Sequence, residues 1–510
     1  MRVITDPLGG SELTRAFLSR NTPSEWYPAL GAPNAQEFLV ANAAAAASEF
    51  AGRNWLDSLD AAFGGPSATP ARVRLEKAAR NGFVVTTGQQ PGLFGGPVYT
   101  LSKAITALAL ANRLEKETGM PAAPVFWAAT DDADFAECSN VIVPSSDGAL
   151  ELRIEKTDDV QRPLAHEPLP DVRAALDEFL QGAGSSSNAE IVELVRRSYE
   201  MKGTIGGSYV TLLRGILEPM GLSVLDAAHV QVRTAGHALL QRALERAEEV
   251  ARAITDRNAA IKQAGYKVQV REVKGRSLVF RYTSEGKERI SVGHAVAALG
   301  STKPGDLSAT VLLRPVMERA ILPTAAYVAG PAEVAYFAQV SAVAEALGAK
   351  QPIVLPRWSG TVLEPRVERI LERYKLRPDE FSDPHALETR QARASIPDDI
   401  QSLLAKLRNA AESIAKVGAD GKGGVPKAVL TGLQRDITHR LERFERRAAA
   451  MVKREGTKEL HDLQVARASL YPMGKPQERA VSFVALLARY GSDLQSRILE
   501  AATMHIAGLK

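Results

Sequence analysis

Four stretches of this chain carry side chains that could bind or move charge. In VVTTGQQPGLFGGPVYTLSKAITALALANRLEK, residues 84–116, an apolar run enters a Gly-rich turn, and a helical pattern follows with Leu101, Ile105, Leu108 and Leu114 inward. Glycines at 88, 92, 95 and 96 would let the backbone approach a ligand, and the start of the next helix would offer unpaired amides and a positive dipole end that suit an anion. Thr87, Gly88, Gln89, Gln90, Gly95 and Gly96 are therefore candidates for binding phosphate or carboxylate, with Lys103 adding charge. The turn fits neither GxxxxGK[ST] nor GxGxxG, which sets aside the P-loop and dinucleotide readings. A tight turn with structural glycines is the alternative.

The second stretch, PVFWAATDDADFAECSN at 124–140, ends an apolar run in Asp131, Asp132, Asp134 and Glu137. Acids at the carboxyl end of a parallel strand face the ligand crevice, where they could hold an amine, carry a nucleotide-bound magnesium or accept a proton. A solvated loop with an N-capping Asp is the alternative, and Trp127 reads as core. In the third, residues 311–339, the run TAAYVAG leads into Gly330 and Pro331, with Glu333 in the first helical turn. Tyr327, Gly330, Glu333, Tyr336 and Gln339 would shape a polar pocket, against simple capping by Glu333. Arg314 reads either as a carboxylate clamp or as a surface ion pair. In the fourth, LYPMGKPQERAVSFVALLARYG at 470–491, Lys475, Gln477 and Arg479 are candidates for a second anion site that would contact a nucleotide, against plain surface charge.

These stretches need a scaffold. Apolar β-type runs near 83, 123, 221, 324 and 352 alternate with helical patterns, the signature of a parallel sheet covered on both faces. The expected organisation is a helical N-terminal segment (1–81), a core in three parts (82–145, 211–264, 301–375), a helical insert (146–210) containing GAGSSS, a small antiparallel insert (265–300) built from YKVQV, SLVFRYT and RISVG, a coiled-coil arm (376–470) and a C-terminal helical segment (471–510) packing on the core. After Arg357 strands are expected to stop. Ile400, Leu403, Leu407, Ala410, Ile414 and Val417 recur at spacings of three and four, GADGKGG makes a turn, and Leu430, Leu433, Ile437, Leu441, Phe444, Ala448 and Met451 return the pattern. Two antiparallel helices follow, the second reaching about 69 Å if it runs from Val425 to Leu470, with Gly456 as a kink point.

Composition narrows the function. The 510 residues are 45% hydrophobic and 24% charged, with 63 Lys+Arg against 59 Asp+Glu, so the chain is globular and its net charge of +4 is no nucleic-acid footprint. The basic run RLERFERRAAAMVKR is interleaved with acids and reads as a solvated helix face. One cysteine, Cys138, excludes an internal disulfide and a Cys-rich zinc site, and eight scattered His give no metal cluster. With no signal peptide and no apolar run of membrane-spanning length, a cytoplasmic protein acting on small molecules, with no membrane or nucleic-acid partner, is expected.

Together, TTGQQPGLFGGPVYTLSK, PVFWAATDDADF, LLRPVMERAILPTAAYVAGPAEVAYFAQ, PIVLPR and LYPMGKPQER resemble, in order and spacing, the bacillithiol biosynthesis cysteine-adding enzyme family over nearly the whole chain. The resemblance implies an α/β fold with a Rossmann-like parallel-sheet core of the class I aminoacyl-tRNA synthetase and nucleotidylyltransferase type, with connective inserts and a C-terminal coiled-coil arm. It implies a ligase joining the carboxyl group of cysteine to the amino group of glucosaminyl malate through an activated carboxylate. ATP or ADP, with magnesium, is the implied cofactor, bound near Lys475 to Arg479, and a homodimer through the arm is the implied assembly. Asp132 and Asp134, with Asp131, are the expected catalytic acids. Family members usually carry Glu-Asp-His-Asp where this chain has Asp131, Asp132, Ala133 and Asp134, and a further His where Asn140 stands. A nucleotidylyltransferase-like enzyme using another acceptor, or a catalytically retired binding protein, is the competing expectation.

Overall fold

The computed structural model describes the chain except residues 29–33, 146–147, 185–187, 201–202, 284–285, 384–386, 388–389, 391–395, 420–423, 455–457 and 510. The described residues form two units, one of Met1–Pro144, Leu150–Val362 and Glu478–Lys510, the other of Ser145–Ala149 and Leu363–Gln477.

In chain order the main elements are β1 (Arg2–Thr5), α1 (Ala35–Phe50), α2 (Pro70–Asn81), β2 (Phe83–Gln89), α3 (Val98–Thr118), β3 (Ala122–Ala128), β4 (Asn140–Pro144), β5 (Ala149–Arg153), α4 (Ile205–Leu217), β6 (Ser223–Asp226), α5 (Ala247–Gln263) and β7 (Arg276–Thr283). There follow β8 (Gly286–Ser291), β9 (Leu307–Ala309), α6 (Arg314–Ile321), β10 (Thr324–Ala329), α7 (Pro331–Ala346), β11 (Ile353–Pro356), β12 (Gly360–Leu363), α8 (Pro365–Tyr374), α9 (Asp398–Ala419), α10 (Lys427–Arg454), α11 (Lys458–Leu470) and α12 (Phe483–Gly508).

The centre of the first unit is a five-stranded sheet in the order β11-β10-β2-β3-β6, with every neighbouring pair parallel. It is the parallel sheet covered on both faces that the alternation of apolar runs predicts, and the Rossmann-like core that the family resemblance implies. Side chains alternate between its faces as strand geometry requires. Phe83, Val85, Phe126 and Val328 join Leu101, Ile105 and Leu108 of α3 and Val484 and Leu487 of α12 in one apolar cluster. Val84, Val125, Trp127 and Tyr327 join Val334 and Phe337 of α7 and Ile254 of α5 in the other. Burial on both faces is why these strands read as unbroken apolar runs. Removing the fully buried Phe126 ring would cost about 3–5 kcal/mol.

The strand order has a functional consequence. The chain builds outward from β2 in one direction through β3 and β6, then returns to the other side with β10 and β11, so the connections diverge between β2 and β10. A crevice opens beyond the carboxyl ends of two such strands.

Several expectations need correction. The N-terminal segment is not wholly helical, and strands do not stop after Arg357: β1 pairs with β12. Both strands are four residues long, too short to show a period. YKVQV is not a strand, and the antiparallel sheet has the order β8-β7-β9. The backbone of Val270 finds its partners in a side chain instead, its N–H donating to Gln339 Oε1 (3.1 Å) and its carbonyl accepting from Gln339 Nε2 (2.9 Å).

In the second unit α9 and α10 pack side by side as the expected antiparallel hairpin, with Arg408 and Glu445 paired at 2.5 Å. The seam differs from the one the spacing suggests. Leu404, Ala411 and Leu441 are buried, whereas Leu403, Leu407, Leu433, Phe444 and Met451 are exposed. A two-helix contact covers a line narrower than the apolar stripe, and Leu404 and Ala411, one heptad apart, occupy that line. Residues 185–187 of GAGSSS, 420–423 of GADGKGG, and Gly456 lie outside the described residues, as does the side chain of Val417.

Candidate active site at the strand switch point

A cleft of about 720 Å³ opens at the carboxyl ends of β2, β3 and β10 in the first unit. Gly88, Gln89 and Gln90 reach it from the end of β2, Asp131 and Asp132 from the loop after β3, and Gly330, Glu333 and Tyr336 from the start of α7. Lys103, Arg314 and Arg479 also line it. Gly88 is there for close approach, since a Cβ would stand 2.8 Å from the Trp127 carbonyl oxygen on the neighbouring strand.

At the cleft floor Lys103 and Glu333 form a buried ion pair, Nζ to Oε2 2.5 Å. The ammonium also donates to the Gly88 carbonyl and to Gln89 Oε1 (3.1 Å). Three acceptors use all three of its donors, so Lys103 holds the site together and has no N–H left for a substrate anion. Glu333 accepts further from the Tyr327 hydroxyl (2.6 Å) and the Gly330 N–H (2.7 Å). Burial alone would raise its pKa, but the Lys103 charge and these donors hold it below the usual carboxylate range. Burial lowers the pKa of Lys103, and Glu333 opposes that shift.

Arg314 reaches the cleft from the first position of α6. Its Nη2 donates to the hydroxyls of Tyr327 (3.2 Å) and Tyr336 (3.1 Å), and its Nη1 pairs with Glu318 at 3.3 Å. Glu318 is fully buried, accepts a hydrogen bond from the Thr86 hydroxyl, and is pushed up to about 7 by burial against the pull of Arg314. The sequence reading missed Glu318, although an acid at i+4 from a cleft arginine on a helix is a readable signal.

The acidic corner is tightly held. Asp132 Oδ1 accepts from the backbone N–H groups of Ala133 (2.6 Å) and Asp134 (3.1 Å), and Oδ2 accepts from the Gln90 amide. Asp131 pairs with Lys287 of β8 at 3.3 Å. Glu137 also lines the cleft, its pKa raised by burial and then by the charges of Asp134 and Asp132. Asp134 does not line it; exposed, it caps the short helix Phe135–Cys138 by accepting the Glu137 N–H at 3.1 Å. Cys138 is buried, its thiol pushed up to about 12 by burial and then by Asp134, which leaves almost no thiolate at neutral pH. Ala133 lines the cleft, while exposed Asn140 turns its amide back to the Ala136 carbonyl (3.2 Å).

Other expected site residues lie elsewhere. The Thr87 hydroxyl donates to the Val328 carbonyl at 2.8 Å and ties β2 to β10. Gly95, at φ +85°, sits where a Cβ would be 2.6 Å from Val484 and 2.8 Å from Phe483, so it serves packing against α12, and Gly96 beside it is likewise off the cleft. Tyr327 is buried and acts through Glu333, and Gln339 is spent on Val270 and Asn258. Lys475 and Gln477 belong to the second unit, Lys475 exposed and Gln477 buried with its amide on the Ser469 carbonyl (3.1 Å).

Three cleft cations were not singled out from the sequence. Lys287 and Arg289 alternate along β8, and Arg357 follows the end of β11. Arg357 makes a bidentate pair with Glu478, both bonds 2.8 Å. A position just past a parallel strand was the signal for Arg357; nothing in a short polar strand marked the other two. Among the described residues no group of three or more His, Cys, Asp or Glu side chains could hold a metal ion, and no helix is long and apolar enough to cross a membrane.

The family model described as Bacillithiol biosynthesis BshC, N-terminal Rossmann-like domain, matches residues 53–358, and that described as Bacillithiol biosynthesis BshC, C-terminal coiled-coil domain, matches residues 360–506. Relatives named "Putative cysteine ligase BshC" include one from Koribacter versatilis, 32% identical over 85% of this chain and 84% of its own, and one from Solibacter usitatus, 32% identical over 85% of each. Another from Heliobacterium modesticaldum is 31% identical over 83% of this chain and 82% of its own.

Proposed function

The chain belongs to the bacillithiol biosynthesis BshC family, and from that membership we propose that it is the cysteine-adding ligase, forming an amide between the carboxyl group of cysteine and the amino group of glucosaminyl malate. The observation that carries this reading is a single cleft, at the switch point of a Rossmann-like sheet, in which a fixed carboxylate corner and several guanidinium groups face the same space.

A carboxylate offers about four acceptor directions, and Asp132 spends three on Gln90, Ala133 and Asp134, which leaves one for a substrate ammonium. In the proposed step Asp132 takes a proton from that ammonium, and the freed nitrogen attacks the activated carbonyl carbon of cysteine. The new bond is carbon to nitrogen; the bond that breaks joins the carbonyl carbon to the oxygen of the leaving group. Ala133 gives this chain no imidazole at the neighbouring position, so the carboxylates carry the proton. Asp131, held by Lys287, is the second acid of the corner.

Activation of the carboxylate by ATP is part of the proposal, with magnesium arriving on the nucleotide. The residues fit a phosphate in one respect: Arg479 lines the cleft with no carboxylate in ion-pair contact among the described residues, so it would hold the phosphate. Purified protein incubated with cysteine, glucosaminyl malate, ATP and magnesium should yield the cysteinyl amide by thiol-specific mass spectrometry. Product with a different amine acceptor only would favour the nucleotidylyltransferase-like alternative, and no product with any acceptor would refute the ligase reading.

A further inference from the structure

Four of the six cations lining the cleft already have an acid within ion-pair distance: Lys103 has Glu333, Lys287 has Asp131, Arg314 has Glu318 and Arg357 has Glu478. Arg289 is different. Its Nε donates to the Ser277 carbonyl at 2.6 Å, and its own carbonyl accepts from Arg276 at 2.8 Å, so both ends of the residue are fixed to the β7–β8 hairpin. Among the described residues neither Nη1 nor Nη2 has an acceptor and no acid pairs with the charge. Burial, and then the neighbouring Arg276 cation, lower the pKa of Arg289, as befits a partly desolvated cation with no counterion. A guanidinium held by Nε with its two terminal amino groups unspent is a fork shaped for a carboxylate.

The hairpin also says which carboxylate. Arg289 stands two residues after Lys287 on β8, hence on the same face of the strand. Lys287 touches Asp131, in the corner where an acceptor amine would sit. A molecule whose amine is drawn to that corner therefore lays its anionic part along the same strand face. We infer that Arg289 is the specificity residue that grips a carboxylate of the amine-bearing acceptor, an inference that rests on the ligase reading for the identity of that acceptor.

Titration calorimetry on the full chain tests it with four probes: glucosaminyl malate, methyl glucosaminide (the same amine without the malyl carboxylates), malate and inorganic phosphate. In Arg289→Ala, glucosaminyl malate and malate should bind about 10- to 100-fold more weakly, and in Arg289→Lys by less, because an ammonium cannot make the fork. Methyl glucosaminide should bind all three proteins equally. Unchanged affinity for malate and glucosaminyl malate in Arg289→Ala overturns the inference. So does a loss confined to phosphate, which would assign the fork to a nucleotide. If wild type binds malate through Arg289 but neither glucosaminyl compound, the carboxylate site stands and the ligase reading falls. Should Arg289→Ala fail to fold, the wild-type ratio of affinities for glucosaminyl malate and methyl glucosaminide decides, and a ratio near one overturns the inference.

Discussion

Lys103 of α3 and Glu333 of α7 meet 2.5 Å apart although their helices follow adjacent strands and pack on opposite faces of the sheet. The pair closes the floor of the cleft at the point where the chain's two windings diverge. Leaving either charge buried without its partner should cost about 3–5 kcal/mol. Lys103→Met and Glu333→Gln should each lower the unfolding free energy from urea melts by that scale, and the double variant by clearly less than the sum. Additive losses in the double-mutant cycle would show that the two charges act independently.

Glu318 makes stability depend on pH in a defined direction. Its pKa rises on folding from 4.5 to about 7 through burial, so between those values the native state holds a proton that the unfolded chain has released. This contribution is fully present below pH 4.5 and is lost as pH rises through about 7. Glu318→Gln should flatten the decline between those pH values in denaturant melts, and an unchanged slope would remove Glu318 as its source.

Asp132 and Asp134 should separate cleanly. Asp132→Asn should reduce turnover by roughly 100-fold, the scale for a positioned base. Asp134→Asn should stay within a few-fold, because Asn caps a helix about as well as Asp. Ala133→His puts an imidazole into the cleft and should introduce a new limb near pH 6 to 7 in the rate profile, about the ordinary range for His; Asn140→His should not. Equal losses in both Asn variants would contradict the division between base and cap.

The arm offers a similar contrast. Leu441→Asp buries a charge in the hairpin and should reduce helicity and lower the melting temperature. Leu407→Asp lies on the exposed stripe with Leu403, Leu433, Phe444 and Met451, and should leave helicity intact. We propose that this stripe meets a second copy of the chain, so Leu407→Asp should shift the mass seen by light scattering toward the monomer. A monomeric wild type would defeat that proposal.

The five core strands were legible because each is buried on both faces, which leaves an apolar run that needs no partner to be seen. β1, β9 and β12 were not, being three or four residues long and defined by where their neighbours fall. Gly95 showed that a glycine was needed but not whether a ligand or a phenylalanine approaches it. The acidic corner was visible as composition; that Asp132 is gripped and Asp134 caps depends on backbone direction after β3. Lys287 and Arg289 belong to the cleft only because the antiparallel insert folds back over it, a long-range fact that no local pattern encodes.

Arg357 and Glu478 are 121 positions apart in sequence, yet their side chains lock in a double hydrogen bond to which the Ser359 hydroxyl adds a third at 2.8 Å. Between them the chain leaves the first unit at Val362 and re-enters it at Glu478, so this clamp joins the two stems of the excursion that forms the arm. Topologically the arm is a long loop tied at its neck. The entropy of closing such a loop grows only logarithmically with its length, so the sheet tolerates wide variation in what is strung between the stems. A chain in which residues 364–476 give way to a short Gly/Ser tether would keep all five parallel strands and the neck clamp.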